Sequence, residues 1–198
     1  MSKKQISKDT ATSKIKYFEG MPKQYRADMK SGQFNVNGKT DIGSDFSFQP
    51  VAWRFFEDDI LGMGRKKWVE LFFVDHKDCM SVILFHGFSR ENLEGLASEL
   101  FYSDVTLADI VLHVSMQEKT NDKITPKAKY FIAEFDFEVA DEAETEKLKQ
   151  GIEKLKLYRN DTFNLEAEVS AMENYFHPEL LEAAEEGEAE EDNESLKF

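Results

Sequence analysis

From Asp45 to Val139 the chain runs in short blocks in which apolar and polar side chains alternate, the pattern of half-buried strands. Phe46 to Phe56 is dense in aromatic and β-branched residues and predicts a first main strand. Pro50 inside it offers no ladder N–H and implies an edge or a bulge there. After Asp58-Asp59 and Gly62-Met63-Gly64, the stretch Lys67 to Asp75 sets Trp68, Glu70 and Phe72 against Val69, Leu71 and Phe73, a second strand. The connector Asp75-His76-Lys77-Asp78 is short, so Cys79 to Phe88 is expected to hairpin back as a third. Ser89 then stands before Leu93, Leu96, Leu100 and Phe101, the spacing of one amphipathic helix. Thr106 to Met116 predicts a fourth strand with Ile110, Leu112 and Val114 on one face and His113 and Ser115 on the other. A polar loop from Gln117 to Lys127 leads to a fifth strand, Lys129 to Val139, where Phe131, Ala133, Phe135, Phe137 and Val139 alternate with Glu134, Asp136 and Glu138.

The flanks read differently. Residues 1–13 lack apolar periodicity and predict a mobile basic arm, followed by extended pieces at Ile15 to Phe18 and Gln33 to Val36 and a tight turn at Asn37-Gly38. Past Ala140, Leu148, Ile152 and Leu155 recur at helical spacing within Glu142 to Leu157, and a second helical stretch is expected from Leu165 to Phe176. Three strands, a helix and two strands is the order of the five-stranded OB barrel, whose helix plugs the barrel between the third and fourth strands. The expected fold is therefore mainly β within the α+β class: an OB-like barrel over residues 14–140, with extra N-terminal strands. A helical extension over 141–177 and a disordered acidic tail over 178–198 complete the division.

With 198 residues and 17 phenylalanines, the chain can bury a substantial core without covalent staples. Its single cysteine, Cys79, lies in an apolar run and reads as a small buried hydrophobe in a reducing compartment. The N-terminal stretch has no apolar signal region, and no run reaches membrane-spanning length, so the expected location is the cytoplasm of a bacterial or phage-infected cell, without membrane contact.

A net charge of −14 at first argues against a phosphate-bearing partner, but its distribution reverses the argument. Residues 1–139 carry 19 basic and 21 acidic side chains, whereas residues 140–198 carry 6 and 18. The first 30 residues hold 8 basic against 3 acidic. A chain polarised from a basic head to an acidic tail is a hint of nucleic-acid interaction.

Barrels that bind single strands stack bases on aromatic side chains while lysine and arginine track the phosphates. Arg65, Lys66 and Lys67 run directly into Trp68, with Phe72 on the same strand face. Trp53 and Arg54 on the first strand, and Lys127, Lys129 and Tyr130 at the start of the fifth, supply further candidates. Against this stands the plain alternative that Trp53, Phe55 and Phe72 are core aromatics and the basic run a solvated turn. Catalysis has little to stand on. His76, His86, His113 and His177 are scattered, and there is no zinc-protease helix, phosphate-binding glycine loop or serine elbow, so neither enzymatic activity nor a cofactor or metal is expected. Asp58, Asp59, Asp75, His76 and Asp78 would be the ligands of a carboxylate-metal nuclease, but they read more simply as turn residues.

The layout of basic arm Ser2-Lys3-Lys4, strand-rich core and acidic tail closed by Phe198 resembles the single-stranded DNA-binding proteins of tailed bacteriophages and bacteria. The resemblance implies a protein that coats exposed strands during replication and recombination with little sequence specificity. It also implies a tail that recruits replication or recombination proteins through Glu190, Glu191, Asp192, Glu194 and Phe198. Bacterial tails of that kind usually end in Pro-Phe after aspartates; here Leu196-Lys197 precedes Phe198 and glutamate dominates. The ligand would be single-stranded DNA, with RNA as an alternative and homo-oligomers compatible. The competing reading is a protein-interaction or assembly module regulated by its acidic tail.

Overall fold

The strand-forming alternation produces ten strands in two sheets among the described residues. A computed structural model describes residues 15–60, 62–122, 126–153 and 155–157, together with the backbone of 168–173. The strands are β1 (Lys23–Asp28), β2 (Gln33–Val36), β3 (Thr40–Gly43), β4 (Asp45–Phe48), β5 (Pro50–Asp58), β6 (Lys66–Val74), β7 (Met80–His86), β8 (Ile110–Asn121), β9 (Ala128–Val139) and β10 (Glu168–Glu173). Two helices, α1 (Phe88–Phe101) and α2 (Glu142–Ile152), follow β7 and β9. The seven-stranded sheet runs β10-β5-β6-β7-β1-β2-β3 and the three-stranded sheet β4-β8-β9. Among the described residues the named strands pair antiparallel except β1 with β7, so the molecule is mainly β with mixed and antiparallel sheets.

Pro50 explains how one predicted strand becomes two. Lacking an N–H, it cannot continue the ladder with β8, and the chain leaves the small sheet at Gln49 and joins β6 with a register shift between Pro50 and Ala52. The corner is pinned by the Gln49 side chain, whose Nε2 donates to the Ala108 carbonyl at 2.7 Å and to Thr145 Oγ1 at 2.8 Å. The two sheets enclose one core, with Val69, Leu71, Ile83, Phe85, Ile110, Leu112 and Ala133 shut from solvent. Phe85 and Phe135 meet edge to face at 5.2 Å, and Phe48 lies 4.3 Å from Phe73, so aromatic rings bridge the sheets.

The expected closed barrel does not form. β5 pairs β6, β6 pairs β7, β4 pairs β8 and β8 pairs β9, but the seam between β7 and β9 stays open. The reason is that β1 occupies the remaining edge of β7, in parallel register from Lys23 opposite Ser81 to Tyr25 opposite Ile83. α1 fills the gap instead. Asn92 Nδ2 donates to the Ala133 carbonyl at 2.9 Å, and the Ala133 N–H donates to Ser89 Oγ at 2.9 Å, so the helix satisfies backbone groups that β9 turns away from β8.

Other expectations need adjusting. The polar stretch after Gln117 is not all loop, because β8 continues to Asn121 against β9. Within the predicted second helix, Glu168–Glu173 is instead a strand on the edge of β5, where ladder bonds override the helix preference of Glu, Ala and Met. β1 and β3, which the pattern left unassigned, form the N-terminal meander with β2. The turn between β2 and β3 follows expectation: Asn37 (φ 54°) and Gly38 (φ 68°) are both left-handed, and the Lys39 N–H reaches the Val36 carbonyl at 3.0 Å. The basic arm at 1–13 and the acidic tail at 178–198 lie outside the described residues.

Gly32 is required for two separate reasons. Its φ is +69°, and a Cβ there would stand 2.5 Å from Cδ1 of Phe131. Gly32→Ala is expected to lower the unfolding free energy by about 2 kcal/mol or more, read as a drop in the urea midpoint.

Asp75, at the β6–β7 turn, ties the meander to the core. Its Oδ1 accepts N–H groups of Lys77 and Cys79 at 2.9 and 3.0 Å, while Oδ2 accepts from the Tyr25 hydroxyl at 3.2 Å and from the Lys23 ammonium. A carboxylate so occupied is a turn anchor rather than a cation ligand, and no group of three or more His, Cys, Asp or Glu converges for a metal ion among the described residues. Burial pushes the Asp75 carboxyl up, but the Lys23 hydrogen bond and the Cys79 and Lys77 amides outweigh it and hold it at about 2. Because the folded value lies below the unfolded one, the anchor's contribution of about 2 kcal/mol is complete above about pH 5 and lost as pH falls toward 2. Urea midpoints at pH 6 and pH 3 are expected to differ accordingly, and Asp75→Asn to shrink the difference.

Candidate nucleic-acid interface

Strand register brings a second cluster together. Trp68 on β6 lies opposite His86 on β7, so the start of one strand sits beside the end of the next, with Lys66 and Lys67 just outside. The chain leaves β7 through Gly87, whose φ of 58° and ψ of −141° fall where only glycine goes freely, and turns at once into α1. That sharp turn opens a cleft of about 340 Å³ lined by Lys66, Lys67, His86, Gly87, Arg90 and Glu91. Phe88, the first residue of α1 and next in the chain to Gly87, is 59% exposed.

The cleft is cationic. Lys67 is exposed and Lys66 half-buried, and neither has an ion-pair partner among the described residues. Arg90 is 7% exposed, holds Glu94 through Nη1 at 2.6 Å and Nη2 at 3.0 Å, and lies 5.5 Å over the Phe55 ring. Burial, and then the charge of Lys66, lower the His86 pKa and favour the neutral imidazole. Glu91 is the opposing charge on the lining.

The residues expected to bind nucleic acid separate into three groups. Trp53, Phe72 and Trp68 are buried, at 4%, 2% and 5% exposure. Trp68 is further held by its Nε1 hydrogen bond to the Asp58 carbonyl at 3.2 Å and by an edge contact with His86 at 4.7 Å between centroids. As placed, none of these rings offers a face to a base. Arg54 is buried beside Glu70, whose carboxyl burial pushes up against the pull of that guanidinium, and Arg65 pairs Glu57 at 2.9 Å. Lys127 and Lys129 sit in the other sheet's hairpin, paired with Asp122 at 2.5 Å and Glu118 at 2.8 Å, with Tyr130 half-buried beside them. Only Lys66 and Lys67 of the expected set line the cleft. The tail residues Glu190, Glu191, Asp192, Glu194 and Phe198 lie outside the described residues.

His86, Gly87, Phe88 and Arg90 were not expected. The available sequence signal was a helix beginning after glycine, with no capping Ser, Thr, Asp or Asn at that position, and with an arginine in its first turn. Ser89, two residues on, is no cap; its hydroxyl is committed to β9. No helix of the described residues is long and apolar enough to cross a membrane. No protein family, curated protein or solved structure matches this chain.

Proposed function

We propose that this chain is a single-stranded DNA-binding protein that coats exposed strands with little sequence preference, binding through the Lys66–Lys67–Arg90 cleft and the Phe88 ring. The observation that carries this reading is a cleft lined by Lys66 and Lys67, neither ion-paired among the described residues, with the exposed Phe88 next in the chain to its Gly87 wall: cations for phosphates and an aromatic ring for a base. The fold supports it as well. A first strand that bends from one sheet to the other, a helix between the third and fourth main strands and a partly open barrel-like pair of sheets agree with an OB-like architecture. That fold binds oligonucleotides near the second and third strands, where the cleft lies. The acidic tail, ending in Phe198, is proposed to recruit replication or recombination proteins, as the resemblance implies.

Phe88→Ala is the direct test of the stacking half. Because the ring is exposed, its loss should leave the unfolding midpoint unchanged within error while weakening a labelled poly-dT oligonucleotide about five- to tenfold in anisotropy titrations. Unchanged affinity would remove Phe88 from the interface.

One observation favours the interaction-module reading. Phe101 and Tyr102, at the far end of α1, form an edge-to-face pair at 5.6 Å and are 74% and 85% exposed. An apolar pair so displayed suits a protein contact. Under that reading the chain binds no oligonucleotide at low salt, and Phe101→Ser abolishes a protein association instead.

A further inference from the structure

We propose that the open edge of β9 from Glu134 to Val139 is the docking strand for this chain's own N-terminal arm, with Lys3 to Lys8 laid alongside it as an added strand. The proposal stands apart from the single-strand reading and needs no nucleic acid.

Backbone geometry comes first. β9 has 12 residues and is the last strand of its sheet, so one of its edges has no strand beside it. Its register with β8 is unbroken, and odd-numbered residues turn their backbone groups away from β8. The Phe131 N–H accordingly reaches the Met29 carbonyl at 2.9 Å, and the N–H and C=O of Ala133 both go to α1. The same alternation turns out the groups of Phe135, Phe137 and Val139. The Phe137 N–H has only the neighbouring carboxylate, Asp136 Oδ1, at 2.8 Å, and the N–H groups of Phe135 and Val139 have no partner among the described residues. Phe137 and Val139 are 39% and 77% exposed, so apolar side chains flank the open edge. Unpaired edge groups beside exposed apolar side chains form a template for another strand.

Charge selects the occupant. Glu134, Asp136 and Glu138 stand on the opposite face from Phe135, Phe137 and Val139. Lys119 pairs Glu134 at 2.9 Å, and His113 lies 3.8 Å from Glu138. A second copy pairing through β9 would set these carboxylates against one another, which is destabilising. A basic strand meets no such penalty. Residues 1–14 carry Lys3, Lys4, Lys8 and Lys14 against Asp9 alone.

The arm also leaves the folded core at a suitable place. Ile15 lies against Gly151 near the end of α2, so closely that a Cβ on that glycine would stand 2.8 Å from Ile15 Cδ1. α2 has 11 residues, about 16 Å of helix, and begins just past Val139. Lys8 to Lys14 can span about 23 Å, enough to run back along α2 to Val139. The remaining residues then pass along β9 in parallel register, with Lys8 beside Val139, Ile6 beside Phe137 and Lys3 beside Glu134. In that register Ile6 joins the apolar face, while Lys3, Gln5 and Ser7 fall on the acidic one.

The test places a nitroxide on Ser7→Cys in the full-length chain with Cys79→Ser, and reads paramagnetic broadening of backbone amides by NMR. The Glu134 to Val139 amides are expected to lose most of their signal within the labelled molecule. They should keep it when isotope-enriched parent chain is mixed with unenriched spin-labelled chain. Adding Lys3→Glu and Ile6→Glu should restore the signals and speed hydrogen exchange at Phe135 and Val139 about tenfold. Unbroadened amides at 134–139, or broadening that the double variant leaves in place, would overturn the docking. Broadening in the mixed sample would overturn the assignment to the chain's own arm, because the occupant would then come from a second copy.

Discussion

Replacing Trp68 with alanine is expected to lower the unfolding free energy by about 3–5 kcal/mol, to be read by urea denaturation without any nucleic acid present. The basic run Arg65-Lys66-Lys67 makes Trp68 look like a stacking platform, but the structure closes its ring from solvent. It packs across the ladder from His86 and donates Nε1 to the Asp58 carbonyl, joining the end of β5 to the start of β6. Truncation removes buried aromatic area, leaves a cavity and orphans that carbonyl. Trp68→Phe should cost far less, about 1–2 kcal/mol, because the ring remains and only the hydrogen bond and part of the area are lost. If Trp68→Ala kept the stability of the parent chain and instead abolished oligonucleotide binding, the ring would be a surface stacking group and its assigned place in the core would be wrong.

Reversing Lys66 and Lys67 together to glutamate is expected to weaken single-strand binding about a hundredfold at low salt. Each reversal removes a cation from the cleft and adds a repelling charge beside Glu91. The salt dependence changes too: losing two phosphate contacts lowers the slope of log affinity against log salt by about 1.4 for a single strand. Stability is expected to fall by no more than about 2 kcal/mol: reversal breaks no ion pair among the described residues, but it sets a carboxylate opposite Asp58 and another opposite Glu57 across the β5–β6 ladder. Trp68→Ala and the lysine pair thus separate two roles that adjoin in sequence, one in the core and one on the surface.

That separation marks where the sequence stops being informative. The main strands from Asp45 to Val139 and the helix after β7 are legible because alternation and the Leu93–Leu100 stripe record which face meets the core. β1, with Lys23, Gln24, Arg26 and Asp28 among its six residues, has too little apolar content to announce itself and is held by β2 and β7 on either side. β10 reads as helix from its Glu, Ala and Met and becomes a strand through pairing with β5. The site was legible only in its lysines. On β5 and β6 side chains of both faces are buried, so alternation cannot tell which aromatic ring is presented to solvent. Phe88 is exposed because Gly87 turns the chain outward at the end of β7, and Arg90 reaches the cleft because the helix begins there. Both depend on where β7 stops, the feature that pattern reading places least well.

The central claim is best tested by fluorescence-anisotropy titration of labelled poly-dT with the full-length chain and with its Lys66→Glu, Lys67→Glu double variant, at low and moderate salt. The account predicts salt-sensitive binding by the parent chain and near-complete loss in a double variant that still unfolds in one cooperative urea transition, at a midpoint only modestly below the parental one. Equal binding by the two proteins, or none by the parent at low salt, would contradict it.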